Sequence, residues 1–351
     1  MGISSGITTI CCCSGTSISK LHFHHHLPRA SIPSISPSPS PALQGRIKFS
    51  SFSSRSVAAA RHRLGSATAS SVGSSCFTWD DVFRAGESNE TDSASDLGGF
   101  FDRVILCNRN LEKLNEFMPF VIANQIVGYV HFGFADHLRK FRDVFVFQKD
   151  TKAFSSNFGC HVTLHSSLTT AEDRTRAVGD VVKCLGEELI PGIRNELFPV
   201  VSSFGSPIFF SVERAAAPYF GTKPHGISCE KNLVKECEEE AGIPSSISGR
   251  AVPVGAISYM DIDGHRFKRD VMFCYDLKLP EGFIPRNEDG EVESFKLVPV
   301  THVANIIRST EFYKANCNLV IIDFLFRHGY ITPENIGYLK LLQSLRSGDC
   351  S

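Results

Sequence analysis

The first 79 residues of this 351-residue chain contain no aspartate or glutamate, since the first acidic residue is Asp80. Residues 1–76 also hold 20 serines and the low-complexity run SIPSISPSPSPA. A segment of this composition buries too little apolar surface to fold by itself. Serine-rich, arginine-containing and acid-free N-termini are typical of organelle transit peptides, and the uncharged opening favours a plastid over a mitochondrion. We therefore predict a disordered chloroplast transit peptide over residues 1–76 that directs the protein to the stroma; an ordinary disordered tail is the alternative.

The rest of the chain lacks paired cysteines, long apolar runs and an excess of positive charge. Four of the 12 cysteines lie in or beside the leader, and the other eight form no CxxC pair, which argues against a zinc site or a disulfide framework. No apolar run approaches the ~18 residues that span a bilayer. Beyond the leader, 29 basic residues stand against 37 acidic ones, without the basic face that nucleic-acid binding requires. We therefore expect no membrane or nucleic-acid partner, and the sequence leaves the oligomeric state open.

Helix and strand patterns alternate in two regions after the leader. In the first region, FFDRVILCNRNLEKLNEF predicts an amphipathic helix over 100–117, and a second helix begins at the capping residue Thr170. The second region contains an acidic helix, a hairpin with its turn at 261–264 and two apolar helices. The pattern predicts an α/β (α+β) protein. We divide it into an N-terminal accessory α/β domain at 77–219 and a second α/β domain at 220–351.

The stretch KECEEEAGI concentrates negative charge at the end of a predicted helix. Glu236, Glu239 and Glu240 share one helix face at spacings of three and four residues, where like charges repel one another and the helix dipole disfavours anions. A solvated helix end is one explanation, but it predicts interspersed lysines, and none follows Lys235. A divalent-cation site is the other, because Mg²⁺ binds carboxylate oxygens and lies against substrate phosphates. Periodicity alone leaves both open.

Two further pairs of charged residues are candidates for chemistry. Glu291 or Glu293 in DGEVESF would accept a proton from an attacking water, and we prefer Glu291; a charged strand edge is the alternative. Lys268 and Arg269 in FKRD are candidate substrate-binding residues that would contact phosphates. The alternative is that they are solvated charges on an exposed hairpin.

The acidic stretch resembles the core of the Nudix box, Gx5Ex7REUxEExGU, in which U is an aliphatic residue. In motif order the corresponding positions are Gly221, Lys235, Glu236, Cys237, Glu239, Glu240, Gly242 and Ile243. Ile227 stands where the motif has its first glutamate, Lys235 replaces arginine and Cys237 replaces an aliphatic residue. Lysine keeps the charge but not the bidentate fork with which arginine orients a carboxylate.

Longer stretches of the sequence make the resemblance more specific. NLVKECEEEAGI, AISYMDIDGHRFKRDVMFCYDLKLP and FFSVERAAAPYFGTK resemble the plant chloroplast Nudix hydrolases related to a fungal thiamine-processing family. This resemblance implies a Nudix α/β/α sandwich and hydrolysis of a small-molecule diphosphate, either thiamine diphosphate or its oxidised derivatives, with Mg²⁺ or Mn²⁺ as cofactor. It implies that Glu236, Glu239 and Glu240 bind the metal.

One segment of the resembling proteins is missing here. In them a sizeable stretch separates AAAPYFGTK from PHGISC, whereas in this chain the two abut at Lys223 and Pro224. That stretch carries the first strands of the Nudix sheet, so we predict a truncated sandwich over 220–351. Gly221 would then hold its motif position only by accident of the junction. Two functions stay open: a Nudix pyrophosphohydrolase, and a catalytically impaired remnant that acts only as a binding protein.

Overall fold

The computed structural model describes residues 6–13, 19–24, 79–87, 96–148, 159–203, 205–223, 229–290, 292 and 295–348. The strands, in chain order, are β1 Gly6–Cys13, β2 Ser19–His24, β3 Phe117–Ile122, β4 Gln125–His131, β5 Phe145–Gln148, β6 His161–Leu164, β7 Leu197–Val200, β8 Phe210–Glu213, β9 Val252–Asp263, β10 Arg266–Lys278 and β11 Val298–Pro299. The helices are α1 Trp79–Glu87, α2 Gly98–Ile105, α3 Phe132–Leu138, α4 Ala171–Leu189, α5 Cys229–Ala241, α6 Ser245–Ser248, α7 Val300–Ser309, α8 Ala315–Arg327 and α9 Tyr338–Ser344. These elements confirm the predicted mixed α/β class.

The first core is built on a four-stranded sheet in the order β4-β3-β6-β5. β3 and β4 form a hairpin whose turn residues, Ala123 and Asn124, both have positive φ angles, as two-residue hairpin turns require. Four phenylalanine side chains are fully buried in this core: Phe120, Phe134, Phe210 and Phe220. The short β7-β8 pair and α3 and α4 complete it.

Helix α4 begins where the sequence predicts. The Thr170 hydroxyl oxygen accepts a hydrogen bond from the Asp173 backbone N–H at 3.0 Å, and Glu172 and Asp173 place negative charge in the first turn. Val178, Val181 and Val182 form its buried stripe. This agreement follows because capping and apolar periodicity are both local signals.

The second core lies around a five-stranded sheet in the order β11-β2-β1-β10-β9. β9 and β10 form a long antiparallel hairpin with Gly264, at φ 58°, in its turn. Successive side chains of a strand point to opposite faces of the sheet. Met272 and Cys274 of β10 accordingly pack against α7 and α8, whereas Tyr275 and Leu277 pack against α5. Helices therefore cover both faces of this sheet, in agreement with the predicted α/β/α sandwich.

Strands β1 and β2 lie within residues 1–76, which the sequence assigns to the leader. β1 runs antiparallel to β10, with Ile7 opposite Lys278 and Cys13 opposite Met272. β2 runs antiparallel to β1 and parallel to β11. The sequence GITTICCC has no charge and is rich in β-formers, and without it β10 would leave an unpaired edge. The remainder of residues 1–76 lies outside the described residues.

Helices α1 and α2 pack in the second core. Both lie in the 77–219 segment assigned to the accessory domain, yet Val82, Phe100 and Val104 are buried in the second core with α7 and α8. Helix α2 ends at Ile105 instead of continuing to residue 117, because Asn110 takes a left-handed conformation and its side-chain amide donates to the Ile262 carbonyl oxygen at 2.9 Å. A 3-10 helix, Leu111–Glu116, follows.

Candidate functional site

Helix α5 carries the predicted metal-binding glutamates and packs on the C-terminal half of β10. Leu233, Cys237 and Ala241 are buried, and they pack with Leu277 and Leu279 of the hairpin. The helix stops at Gly242, whose φ of +59° is the left-handed conformation that favours glycine. The sequence therefore places both the helix and its end correctly.

The three glutamates differ in exposure around the helix. Glu236, Glu239 and Glu240 span an arc of about 100°, since an α-helix turns 3.6 residues per turn. Glu239 is exposed and its carboxylate pairs with Lys235 Nζ at 3.3 Å, Glu236 is partly buried, and Glu240 is 1% exposed. The arc thus runs from solvent into the buried side of α5 instead of presenting three outward carboxylates.

The three glutamates have the chemistry to bind a divalent cation but are not positioned together. Carboxylate oxygens are suitable ligands for Mg²⁺ or Mn²⁺, so the donor chemistry is appropriate. Across the described ranges, however, no three His, Cys, Asp or Glu side chains come together in a group that would hold a metal ion. With Glu240 buried beside Cys237, the three glutamates do not form a metal site in this structure.

Glu291 lies outside the described residues, but the segment before it reaches α5. The Arg286 backbone N–H donates to the Ala241 carbonyl oxygen at 3.0 Å. A methyl group at Gly242 would come within 3.1 Å of Glu288 Oε1. The acidic loop after β10 therefore docks against the end of the glutamate helix, close to the predicted metal-binding residues.

Gly221, which aligns with the first glycine of the motif, has a packing role in the accessory region. It has a φ of +55°, and a Cβ atom there would lie 2.4 Å from the Tyr129 carbonyl oxygen. The adjacent Phe220 carbonyl oxygen accepts a hydrogen bond from the Tyr129 backbone N–H at 2.9 Å. Only glycine fits this approach, and it serves β4, not a loop ahead of α5.

Lys268 and Arg269 lie far from the glutamates. Nine residues separate Lys268 from Leu277 along β10, which is about 30 Å at 3.3 Å per residue. Lys268 is exposed, whereas Arg269 is 6% exposed and donates to the Gly221 carbonyl oxygen at 3.3 Å. The Arg269 guanidinium also lies 4.9 Å from the centre of the Tyr129 ring. The structure therefore does not bring these two cations close to the glutamates of α5. Arg269 instead connects the hairpin to the accessory region.

A cavity of about 500 Å³ lies beside Lys268 and Arg269, on the other face of the sheet from α5. On one wall, the Arg109 guanidinium forms two hydrogen bonds with Asp261, at 2.8 and 2.7 Å. This pair raises the pKa of Arg109. The neighbouring Cys107 is buried, and burial with the Asp261 charge raises the pKa of its thiol to about 12. Cys107 therefore stays protonated and is no nucleophile at neutral pH.

The same cavity is lined by a carboxyl group in contact with a phenol. The Tyr259 hydroxyl donates to Asp270 Oδ2 at 2.5 Å. Burial raises the pKa of Asp270, while the Tyr259 hydrogen bond and the charges of Lys268 and Lys314 oppose that rise. Sequence reasoning did not find this cavity, because Arg109 and Asp261 are 152 positions apart and no local pattern links them.

Within the described part of the chain, no helix combines the length and apolarity needed to cross a membrane. A family model described as a domain of unknown function, DUF4743, matches residues 99–224. That range overlaps the predicted accessory region, whose boundaries stay a prediction.

Comparison with curated proteins identifies the family. The chain is 52% identical to Nudix hydrolase 20, chloroplastic, of Arabidopsis thaliana, over 85% of this chain and 91% of that protein. It is 51% identical to Nudix hydrolase 24, chloroplastic, of the same plant, over 78% of this chain and 85% of that protein. This chain belongs to the Nudix hydrolase family. The relatives are named chloroplastic, which supports the chloroplast as the compartment of this Nudix chain.

A third similarity extends beyond plants. An uncharacterised protein of Saccharomyces cerevisiae is 43% identical over 132 residues, which cover 34% of this Nudix chain and 38% of the yeast protein. Nudix hydrolases act on small molecules with nucleoside-diphosphate-type linkages and generally use divalent metals, so enzyme class and substrate type agree with the sequence prediction.

The two plant alignments also support the missing segment. The first spans 343 positions but takes in 85% of this chain, which is about 298 of its 351 residues. About 45 aligned positions therefore have no residue here. The second alignment, with 319 positions and 78% of the chain, gives about the same number. A gap of this size agrees with a lost stretch at the junction of Lys223 and Pro224.

Proposed function

We propose that this chain is a Nudix pyrophosphohydrolase whose substrates are thiamine diphosphate or its oxidised derivatives. The observation that supports this proposal is α5, a helix with the glutamate spacing of the Nudix box, in a chain 52% identical to a named Nudix hydrolase. Mg²⁺ or Mn²⁺ is the proposed cofactor, and Glu236, Glu239 and Glu240 would supply its carboxylate ligands once Glu240 turns out of its buried position. If bound there, the metal would supply charge neutralisation at the phosphates and would increase the acidity of a bound water.

The chain's own residues have separate proposed tasks. Glu291 is the proposed acceptor of the proton from the attacking water, and residues 286–288, which precede it in the chain, dock against the end of α5. Lys235 keeps Glu239 turned along the helix surface in the ion pair at 3.3 Å. For binding a cation, this pair would have to open.

The proposed compartment is the chloroplast stroma, with residues 1–76 as the transit peptide. The acid-free leader and the names of the two plant relatives support this. We propose 77–219 as the accessory domain and 220–351 as the Nudix domain, acting on small molecules without nucleic acid or membrane partners.

A second candidate is a protein that binds its ligand without hydrolysing it. Two observations favour it: the glutamates of α5 do not come together as a metal site in the described residues, and about 45 aligned positions are missing relative to the enzymes. Catalysis needs ligands held within about half an ångström of their productive geometry, and in α5 one of the three glutamates is buried and another is paired with Lys235.

The experiment compares three proteins: this chain, the same chain with the relative's segment restored between Lys223 and Pro224, and the restored chain carrying Glu239→Gln and Glu240→Gln. Phosphate release from thiamine diphosphate is measured with Mg²⁺ and with Mn²⁺. We expect turnover in the restored chain and a fall of roughly 100-fold or more in its double variant, since even outer-shell losses cost up to this amount.

This chain itself should turn over far more slowly than the restored form, and calorimetry should show weaker Mn²⁺ binding. Equal turnover of the two forms would refute the second candidate. No turnover by the restored form on any thiamine diphosphate would refute the proposed substrate.

A further inference from the structure

The cavity beside Lys268 is separate from the glutamate helix. It is bounded by residues 191–222 of the accessory region, by the tip half of the β9-β10 hairpin and by the start of α8. Lys268, Asp270 and Met272 are alternate residues of β10 and so face the same side. Leu277, against which α5 packs, faces the other side. A ligand in the cavity would therefore not touch the glutamates.

The lining carries a large excess of positive charge. Two carboxylates line the cavity, Asp261 and Asp270. Seven cationic residues line it: Arg109, Arg194, Arg214, Arg266, Lys268, Arg269 and Lys314. Three of these arginines have carboxylate partners: Arg109 pairs with Asp261, Arg214 with Glu196 and Arg266 with Asp263. Even after these pairs are counted, the cations outnumber the carboxylates, and a concave wall of one charge sign concentrates the opposite ion.

The start of α8 adds to this field. Lys314 is the N-cap of this 13-residue helix, and Ala315 and Asn316 of its first turn line the cavity. The N-terminal end of a helix presents backbone N–H groups and a partial positive charge, both of which favour phosphate. The helix end and the lysine at its cap therefore act in the same direction as the arginines.

The remaining lining is apolar. Phe198 and Tyr219 of the accessory region and Met272 of β10 line the same space, and Tyr219 and Met272 are less than a tenth exposed. A volume of about 500 Å³ is in the range of small-molecule sites, which combine apolar walls with a few polar groups. The site thus suits a ligand with an anionic end and an aromatic or aliphatic body.

We propose that this cavity, between the accessory region and the hairpin, is a metal-independent binding site for a phosphorylated organic small molecule. The phosphate would lie between Lys268, Lys314 and the first turn of α8, with the organic part against Phe198 and Met272. The site belongs to both regions of the molecule, so ligand binding there would hold them together.

The experiment uses the full chain in EDTA, which removes any metal-dependent contribution of α5. Phenyl phosphate and inorganic phosphate are titrated by calorimetry. The test variant is Lys268→Gln with Lys314→Gln, because both side chains are exposed and their loss spares the Arg269 bond to Gly221. The matched control is Lys140→Gln with Lys183→Gln, two exposed lysines outside the cavity lining.

We expect phenyl phosphate to bind more tightly than inorganic phosphate. The test variant should weaken phenyl phosphate binding by about tenfold or more, as expected for loss of charge-assisted hydrogen bonds, and the control should leave it unchanged. Unfolding midpoints of all three proteins confirm that each is folded. No binding to the unchanged chain, equal weakening in both double variants, or no preference for phenyl phosphate would each overturn the proposal. Binding that survives Glu239→Gln with Glu240→Gln separates this site from the proposed hydrolase site.

Discussion

The two cores of this molecule are assembled from the chain in different ways. The accessory core draws all its buried residues from one continuous stretch, Met118 to Phe220. The second core combines α1 and α2 from 79–105 with elements after residue 228, and its sheet takes β1 and β2 from the first 24 residues. Contacts between distant segments cost more chain entropy before they form. We therefore expect the second core to depend on the leader and the accessory core to be indifferent to it.

The two cores also differ in the kinds of side chain that they bury. Rings dominate the accessory core, where the ring centre of Phe120 lies 5.8 Å from that of Phe220 and 6.1 Å from that of Phe210. The second core includes a buried ionic network, in which Asp323 accepts hydrogen bonds from Arg327 and Arg346, each at 2.7 Å. Arg327 also donates to Asp276 at 2.6 Å. Loss of a single charge should therefore damage the second core in a way that has no counterpart among the rings.

The largest effect is expected from deletion of residues 1–24. This deletion removes β1 and β2 and leaves β10 with an unpaired edge. Hydrogen exchange of amides in residues 271–278 should accelerate by about 10- to 100-fold, because a lost backbone partner costs about 1–3 kcal/mol and 1.4 kcal/mol is tenfold. Amides of β3 should exchange as before.

The control deletes an equal length, residues 30–53, and should leave β10 protected. Unchanged exchange in β10 after loss of residues 1–24 would contradict the pairing with β1. The outcome also bears on targeting, since removal of a transit peptide up to residue 76 would expose the same edge.

Elements with signals within a few residues could be predicted from the sequence, whereas contacts between distant parts of the chain could not. Helix α4 and its Thr170 cap, and α5 with its glycine stop, depend on signals within a few residues. The β1-β10 pairing joins positions more than 250 residues apart, as Cys13 lies opposite Met272, so no local pattern could reveal it. Glutamate spacing predicted a shared face, but only the packing of Cys237 on the hairpin shows that Glu240 is buried. Lys268 stays a predicted phosphate contact, although the length of β10 separates it from the glutamates.

An intermediate effect is expected from Asp323→Asn in the ionic network. The substitution keeps the shape but leaves Arg327, which is about four-fifths buried, with one carboxylate fewer. Removing one partner of a buried ion pair costs about 3–5 kcal/mol. We expect about 2–3 kcal/mol here, since Arg346 is 41% exposed and turns to water. Urea unfolding at pH 7 measures the loss.

The matched change in the accessory region is Asp173→Asn. Asp173 forms an exposed pair with Arg176 at 2.6 Å in the first turn of α4, and such a pair contributes less than about 1 kcal/mol. Equal losses from the two substitutions would show that the second core does not depend on its buried charges.

The smallest effect concerns Asp270, which lines the cavity where the two regions meet. Burial raises the pKa of its carboxyl above the ordinary value of 3.8, so the folded protein binds this proton more tightly than the unfolded chain. Stability from this group is therefore present below pH 3.8 and is lost as the pH rises through the raised pKa. Asp270→Asn removes this loss, so the variant should gain stability relative to the unchanged chain between pH 4 and pH 7, and the gain should be small because the Tyr259 hydrogen bond and the Lys268 and Lys314 charges offset part of the effect of burial. Tyr259→Phe should act in the opposite direction, since it removes the hydroxyl that stabilises the carboxylate at 2.5 Å.

Urea midpoints at pH 4, 5, 6 and 7 for the three proteins give the comparison. Parallel pH profiles for both variants would show that the titration of Asp270 does not contribute to the pH dependence of stability.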